Sequence, residues 1–339
     1  LPAFLWVVFG TIFFAGVHDS GALWASVRNR AKSVGALTGE VVGRRARTVF
    51  MIVIFLVLLM VNAVFGVVIA KLLINNPGAV VPVWGAIAVA LVIGQLIYRR
   101  VIGLGLVSVL GVAALYSLIY VGPMVPVTLP DQVMGLSANA SWILMLFAYA
   151  AVASLLPVWM LLQPRDYING LQLFVGLILL YGAVLLGNPQ VVAPMINSDV
   201  PAGTPSLLPL LFVTIACGAI SGFHGLVASG TSSKQLDKET DARFVGYFGA
   251  VGEGALALAA IIAATAGFAS LADWQAVYTA FGQGSLTAFV DGGANILANG
   301  MGMDVGVAAT LLTVMAALFA GTTMDLSLIH ISEPTRRIL

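Results

Sequence analysis

Three apolar stretches of the chain contain ionisable side chains that could exchange protons. The clearest is Glu253, nine residues beyond Phe244 in a run without Lys or Arg, between Gly252 and Gly254. If the run is a membrane helix, nine residues place this carboxyl about 14 Å deep, near the midplane. Burial disfavours the charged form, so the group could bind and release a proton, or stay neutral and hydrogen-bond a neighbouring helix. The flanking glycines would let that helix approach closely.

A second ionisable pair, His18 and Asp19, lies in the first apolar stretch. An adjacent carboxylate and imidazole could form part of a proton relay. Asp19 lies about 13 Å before Arg28 along a continuous helix, in the inner third of the stretch. The pair could equally be solvated near the inner surface, or Asp19 could cap a restarted helix, and the sequence leaves these alternatives open.

The segment 217–234 is predicted to be a discontinuous helix because it mixes glycines with hydroxyl residues. The glycines are Gly218, Gly222, Gly225 and Gly230, and the hydroxyl residues are Ser221, Ser229, Thr231, Ser232 and Ser233. Broken helices at membrane depth are where carriers build substrate and ion sites. We therefore interpret Ser221, Gly222, His224 and Gly225 as substrate-binding candidates. Close packing of small residues, with His224 as a satisfied core residue, is the alternative.

Pro157 is a further candidate for the substrate site, since it predicts a kink in the fifth apolar stretch. Arg165 and Asp166 follow that stretch. We expect them to stabilise a cytoplasmic turn rather than to contact substrate.

The composition identifies an integral membrane protein. Of 339 residues, 60% are hydrophobic and 9% are charged, and the mean hydropathy is +1.04, whereas soluble domains carry about 25% charged residues. This excludes a cytosolic enzyme, a secreted disulfide scaffold and a disordered chain. Cys217 is the single cysteine and the three histidines are widely spaced, so we expect no disulfide, no metal and no cofactor. The sequence contains no nucleotide-binding loop or hydrolase motif, and an enzyme is not expected.

Nine apolar stretches have about the length that a membrane-spanning helix needs. They cover residues 2–27, 48–73, 80–98, 101–121, 141–162, 168–187, 207–230, 244–269 and 305–325. The stretches do not alternate polar and apolar residues as barrel strands do. The sequence therefore predicts an all-α polytopic bundle of about nine transmembrane helices.

The basic residues predict the orientation of this bundle. If nine spans alternate, twelve of the thirteen Lys and Arg residues before position 326 fall on one side, and only Lys71 lies on the other. Since cytoplasmic loops are enriched in Lys and Arg, we predict that the basic loops 28–47, 99–100, 163–167 and 231–243 are cytoplasmic.

The long connection 270–304 lies on the opposite side in this topology. It carries four aromatic residues among small and polar ones, namely Trp274, Tyr278, Phe281 and Phe289. It could form an interfacial amphipathic helix or a cap over the outer mouth, and a simple loop is the alternative.

Both ends of the chain are unusual. It begins at Leu1 within an apolar run, and residues 326–339 read back into codons that resemble a transposon adapter used to prepare sequencing libraries. We expect a transmembrane domain over 1–325 that is truncated at both ends, followed by a non-native tail. His330, Glu333, Arg336 and Arg337 would then have no function. A natural polar tail is the alternative.

Several ordered motifs resemble the carbon starvation protein A (CstA) family over essentially all of residues 1–325. They are HDSGAL at 18–23 with SVR at 26–28 and KSVG at 32–35, SLLPVW at 154–159 with QPRDY at 163–167, IACGAISGFH at 215–224 with SGT at 229–231, and GY at 246–247 with Glu253 downstream. The motif at 215–224 is the most specific of these.

The resemblance implies a LeuT-like secondary transporter of the amino acid–polyamine–organocation superfamily in the bacterial inner membrane. Family members look like proton-coupled importers of peptides or pyruvate during carbon scarcity. A glycine-rich broken helix expected upstream and a membrane region expected downstream are absent from this chain. On this interpretation Glu253 leads proton coupling, Asp19 and His18 assist it, and the broken segment around Ser221 and His224 offers polar backbone to substrate.

We expect a peptide or pyruvate, protons and membrane lipid as partners, and no nucleic acid. The sequence does not choose between substrates, between protons and sodium, or between oligomeric states. A membrane sensor or regulatory scaffold of the starvation response is the alternative function. A channel and an intramembrane enzyme have less support.

Overall fold

The computed structural model is built almost entirely of helices. It describes residues 1–100, 102–133, 135–201, 203–280 and 284–336, with side chains described as far as residue 329. Phe281, Arg337 and the side chains of His330, Glu333 and Arg336 lie outside this description. The helices are α1 (Pro2–Arg28), α2 (Val34–Val41), α3 (Arg44–Asn75), α4 (Val80–Tyr98), α5 (Leu104–Val121), α6 (Ala138–Leu155), α7 (Leu162–Gly187), α8 (Leu207–Thr214), α9 (Ala216–Ala219), α10 (Gly222–Ala228), α11 (Asp241–Ala266), α12 (Leu271–Val277), α13 (Ser285–Met301) and α14 (Val305–Arg336). Two short strands, β1 (Gln132–Val133) and β2 (Leu136–Ser137), pair antiparallel before α6.

Eight of the described helices are long and apolar enough to cross a membrane, namely α1, α3, α4, α5, α6, α7, α11 and α14. The predicted all-α, multi-pass membrane protein is thereby confirmed, but the count of nine helices is corrected. The difference is the segment 207–230, which forms the three short helices α8, α9 and α10 instead of one continuous span. Its glycines and hydroxyl residues weaken the helix, as the sequence predicted.

Side chains of α1 bind the backbone where the segment 207–230 is broken. The indole Nε1 of Trp6 donates to the carbonyl oxygen of Ile215 at 3.2 Å, and the Thr11 hydroxyl donates to that of Gly218 at 3.3 Å. These bonds satisfy carbonyl groups at the two places where regular helix is interrupted, which a membrane interior requires.

Helix α1 itself is continuous but changes its winding. Residues Thr11–Ala15 form a π-helical turn between two α-helical parts. The described helix passes through Asp19, which is buried in its second half. The alternative in which Asp19 caps a restarted helix is therefore wrong.

The chain divides into two compact units. Unit 1 contains residues 1–54 and 190–292, and unit 2 contains residues 55–189 and 293–339. In unit 1, α11 packs closely on α1 through small residues. A Cβ added to Gly246 would lie 2.6 Å from the Cα of Ser20, and one added to Gly254 would lie 2.6 Å from the Thr11 hydroxyl.

The expectation that two glycines around Glu253 admit a neighbouring helix is half right. Gly254 contacts α1, but nothing lies within 4 Å of a Cβ built on Gly252. Gly252 and Gly254 are two positions apart and lie on different sides of the helix, so only one of them can face α1.

Unit 2 is organised around α14, whose apolar side chains are among the most buried of the described residues. Leu311, Leu312, Met315 and Leu318 are almost fully buried. The Asn76 side-chain amide donates to the hydroxyl of Thr313 at 3.1 Å, which fixes the end of α3 against α14.

Pro157 ends a helix rather than bending one, which corrects the predicted kink. Helix α6 stops at Leu155, and Leu156 adopts the extended backbone that a following proline favours. The next helix, α7, begins at Leu162 and already contains Arg165. The predicted cytoplasmic loop 163–167 is consequently the first part of a helix.

The connection 270–304 contains helices, so the simple loop is excluded for its described part. Helix α13 buries Ala288, Ala294 and Leu297 and exposes Asp291, as an amphipathic helix does. Its location at a membrane surface stays a prediction.

Candidate functional site

Four ionisable side chains from unit 1 form a hydrogen-bonded line, which we call the carboxyl–imidazole cluster: His18, Asp19, His224 and Glu253. His18 Nδ1 lies 2.8 Å from Asp19 Oδ1, and His224 Nδ1 lies 2.7 Å from Asp19 Oδ2. On its other side, His224 Nε2 lies 2.5 Å from Glu253 Oε2. The order along the line is therefore His18, Asp19, His224, Glu253.

The two carboxyl groups of this cluster are well shielded and the two imidazoles less so. The side chains of Asp19 and Glu253 are 5% and 19% exposed, whereas those of His224 and His18 are 32% and 42% exposed. The least exposed group thus lies inside the line, where both of its oxygens are bonded. A group at the accessible end could exchange protons with its surroundings while the interior stays shielded.

The two contacts of His224 set a condition on the number of hydrogens in this line. Each short nitrogen–oxygen contact needs one hydrogen between the atoms. A neutral imidazole carries one N–H, but His224 makes two such contacts. The second hydrogen must come from a protonated His224 or from a protonated carboxyl group. The geometry therefore places the His224 ring where one proton can be shared between Asp19 and Glu253.

Two further polar side chains extend the cluster beside Glu253. The Cys217 sulfur lies 3.5 Å from Glu253 Oε1, to which its thiol can donate, and 3.6 Å from the Ser221 hydroxyl. Ser221 is buried, while Cys217 is exposed. Sequence reasoning counted Cys217 only as evidence against a metal site. The helix that holds Cys217 ends at Ala219, before Ser221, so helical spacing did not predict this contact.

Close backbone contacts hold the members of the cluster together. The contact of Gly246 with Ser20 places Asp19 next to α11, and Glu253 lies two turns further along that helix. A Cβ added to Gly225 would lie 2.8 Å from Cε1 of His18. A side chain at position 225 would therefore have to displace the His18 ring, because α10 approaches α1 closely at this point.

The far end of the broken segment is tied to the turn that follows α1. The Ser229 hydroxyl accepts from the Val34 backbone N–H at 3.0 Å, and the Ser26 hydroxyl donates to that of Ser233 at 2.9 Å. Both Ser26 and Ser229 are fully buried. These bonds fix the register of α10 and thus the position of His224.

The structure brings together most, but not all, of the predicted site residues. His18, Asp19, Ser221, His224 and Glu253 lie in or beside the cluster. Gly225 supports the cluster by packing, and Gly222 is exposed with no atom within 4 Å of an added Cβ. Pro157 lies in the turn between α6 and α7 and belongs to unit 2.

Sequence reasoning missed a second buried polar group, in unit 2. Arg165, which was expected in a cytoplasmic turn, is 3% exposed and forms an ion pair with Asp325 of α14. It also donates from Nη1 to the Tyr149 hydroxyl at 2.6 Å. The preceding helix was predicted to end later than it does, and Arg165 was therefore assigned to a turn. Among the described residues, no group of three or more His, Cys, Asp and Glu is arranged to hold a metal ion.

Comparisons with known proteins place these residues in a family. Residues 1–273, which include the whole carboxyl–imidazole cluster, match the family described as carbon starvation protein CstA. The chain is 36% identical over 278 residues to the pyruvate/proton symporter BtsT of Escherichia coli K12 and 35% identical over 274 residues to the peptide transporter CstA of Campylobacter jejuni. It is 33% identical over 270 residues to the peptide transporter CstA of Bacillus subtilis. No solved structure matches the chain.

The extent of these matches defines what they show. Each covers 78% of this chain but only 38%, 38% and 45% of the respective relatives. The resemblance read from the motifs is confirmed over residues 1–273, and residues 274–325 lie beyond the family match. With identities of one third or more and ordered motifs across most of its length, the chain belongs to the carbon starvation protein CstA family.

Proposed function

We propose that this protein imports a small carboxylate, such as pyruvate, or a peptide together with protons during carbon starvation. The observation that carries the proposal is His224, whose imidazole bridges Asp19 of α1 and Glu253 of α11. A proton shared between two helices can bias how those helices pack, because losing it leaves two carboxylates facing one neutral ring. The names of the relatives, a pyruvate/proton symporter and peptide transporters, support the same function.

We further propose that substrate binds beside the broken segment. The Gly222 backbone is accessible, and the Ser221 hydroxyl and the His224 ring lie next to it. Irregular backbone that lines a cavity supplies polar groups without side chains, as in carriers with discontinuous helices. The LeuT-like arrangement, the inner membrane and the cytoplasmic placement of the basic loops belong to this proposal.

Uptake into proteoliposomes tests the function. The protein is reconstituted, a pH gradient is imposed, and accumulation of labelled pyruvate or of a labelled dipeptide is measured. Glu253→Gln should reduce uphill accumulation by about tenfold or more, in line with typical coupling energies, while downhill exchange persists. Glu239→Gln is the matched control, because Glu239 is 45% exposed and pairs with Arg28 away from the cluster.

The alternatives give different results in the same assay. A sensor or scaffold would accumulate neither solute under any gradient. A channel would pass solute downhill but would not concentrate it when the proton gradient is imposed. Unchanged uphill uptake in Glu253→Gln would remove Glu253 from the coupling role.

A further inference from the structure

The buried polar group of unit 2 consists of Arg165 from α7, Tyr149 from α6 and Asp325 from α14, and we call it the Arg165 cluster. Arg165 Nη1 donates to the Tyr149 hydroxyl and to Asp325 Oδ2, and that hydroxyl lies 3.2 Å from the same carboxylate oxygen. The side chains of Arg165 and Asp325 are 3% and 0% exposed. A charged residue inside a membrane protein is costly and usually functional.

Several atoms of this cluster have unused bonding capacity. Arg165 Nε and Asp325 Oδ1 are buried without a hydrogen-bond partner among the described residues, and so is Oδ1 of the neighbouring Asp166. Buried polar atoms nearly always have a partner. One of these unpaired groups is the Nε–H of Arg165. A guanidinium binds a carboxylate through two parallel hydrogen bonds.

A cavity in unit 2 is lined by the three residues of the Arg165 cluster. Arg165, Tyr149 and Asp325 form its polar wall, and Ile69, Trp84 and Leu146 are among the apolar side chains opposite. About 400 Å³ of empty space lies in the cavity and the open mouth before it together, and the interior itself has room for about one water-sized group. Apolar walls with a few converging polar groups are typical of small-molecule sites.

Gly321 shapes the guanidinium side of this cavity. A Cβ added at this position would lie 2.5 Å from Nη2 of Arg165. The guanidinium plane therefore lies against α14 where only glycine leaves room for it. Its position is set by Gly321, by the Tyr149 ring 5.6 Å away and by Asp325.

We propose that the Arg165 cluster is a binding site for a short monocarboxylate, whose carboxylate pairs with Arg165 and whose small apolar end contacts the opposite wall. The choice of a transported carboxylate rests on the proposed function. Arginine suits this role better than lysine because its planar fork matches a carboxylate. All residues of this site belong to unit 2, whereas those of the carboxyl–imidazole cluster belong to unit 1.

Charge balance links binding at this site to a proton. One guanidinium faces two carboxyl groups, Asp325 and Asp166, with Tyr149 as the other titratable group in contact with Asp325. A bound carboxylate adds a further negative charge, which a buried site disfavours unless it is compensated. Uptake of one proton by Asp325, as its oxygen is displaced from Arg165, restores the balance. No covalent bond changes in this step.

Equilibrium binding to the purified protein in nanodiscs tests the proposal without any gradient. Labelled pyruvate is the probe, and methyl pyruvate, which lacks the carboxylate, is the competitor. We expect binding that tightens as the pH falls, uptake of one proton per pyruvate, and no competition by the ester. Arg165→Gln should weaken binding by about 10- to 100-fold, the value of a charge-assisted hydrogen bond, and the exposed Arg99→Gln should not.

Additional variants separate binding from folding. Arg165→Gln combined with Asp325→Asn removes both charges together, so no unpaired charge is buried, and it should fold and lose the binding at the Arg165 cluster, while any binding beside the broken segment of unit 1 persists. Gly321→Ala keeps every charge but displaces the guanidinium, and it should weaken binding. Asp325→Asn alone should bind pyruvate with little dependence on pH, whereas Asp131→Asn in an exposed connection should behave like the wild type.

The results distinguish this proposal from the proposed function. If the folded double variant binds pyruvate as tightly as the wild type, or if methyl pyruvate competes equally, the Arg165 site is overturned, whatever Glu253→Gln does to uptake. Binding that requires Arg165 but takes up no proton overturns the charge-balance step. Loss of coupling in Glu253→Gln depends on neither result.

Discussion

The two ring nitrogens of His224 point to opposite sides of the imidazole, and each faces a carboxyl group on a different helix. This arrangement depends on side-chain position to within a few tenths of an ångström. A substitution that keeps size and polarity but supplies a single carboxamide cannot make both contacts with the same geometry. The effect of a replacement at His224 on uptake therefore depends on which of the two contacts it preserves.

His224→Gln should reduce uphill uptake by roughly tenfold, because a carboxamide cannot take up the proton that we propose to be shared between Asp19 and Glu253. His18→Gln provides the comparison, since His18 is more exposed and contacts only Asp19. We expect a smaller effect from that change. Equal uptake in His224→Gln and the wild type would show that the bridge has no part in coupling.

Cys217 offers a chemical probe of the same cluster, because it is the single cysteine in the sequence and its thiol contacts Glu253. A nearby carboxylate disfavours the reactive thiolate. Glu253→Gln should therefore raise the rate of alkylation by N-ethylmaleimide about tenfold, by analogy with a shift of one pKa unit. The Glu239→Gln variant should react at the wild-type rate, and a slower reaction in Glu253→Gln would contradict the contact.

At the scale of elements, the packing of α1 against α11 positions Asp19 relative to Glu253. The sequence made both carboxyl groups conspicuous, since each interrupts an apolar run, and the glycine-rich break at 217–234 was also predictable. The bridge was not, because contacts between residues over 200 positions apart depend on helix packing that local patterns do not encode. Arg165 was misplaced because Pro157 ends α6 instead of bending it, and this shifted the helix boundary by several residues.

Gly246→Ala should destabilise the protein by about 1–3 kcal/mol, since the new methyl group would overlap the backbone of Ser20. Thermal unfolding in detergent measures the effect. Gly249→Ala is the matched control on the same helix, because nothing lies within 4 Å of an added Cβ there. It should leave stability unchanged or raise it slightly through better helix propensity. Equal unfolding temperatures for both variants would mean that α1 and α11 are not in close contact.

At the scale of the whole molecule, the described part of each unit contains a cluster of ionisable side chains, which is partly exposed in unit 1 and buried in unit 2. In unit 1 the members are carboxyl and imidazole groups, and in unit 2 they are a guanidinium and carboxyl groups. The positive-inside pattern predicts how the chain as a whole is oriented, and it relies on the chain's basic residues rather than on any single contact. Asp325 of the second cluster escaped sequence reasoning because it lies at the last position of a predicted span.

Cysteine labelling in a Cys217→Ala background tests this orientation. A cysteine at Arg30, in the first basic connection, should react with a membrane-impermeant maleimide only after the membrane is permeabilised. One at Asp131, in the connection without Lys or Arg, should react in intact cells. Labelling of both sites after permeabilisation is the control. The reverse pattern would invert the topology.

The π-helical turn at Thr11–Ala15 precedes His18 and Asp19 by about one turn of helix. A wide turn of this kind accommodates one residue more than regular winding, and each residue of an α-helix rotates the chain by about 100°. If this turn rewound to uniform α-helix without losing a residue, everything after it would rotate by about that angle relative to the first part of α1. Asp19 would then point away from His224. The wide turn therefore keeps the Asp19 carboxyl directed at the His224 ring.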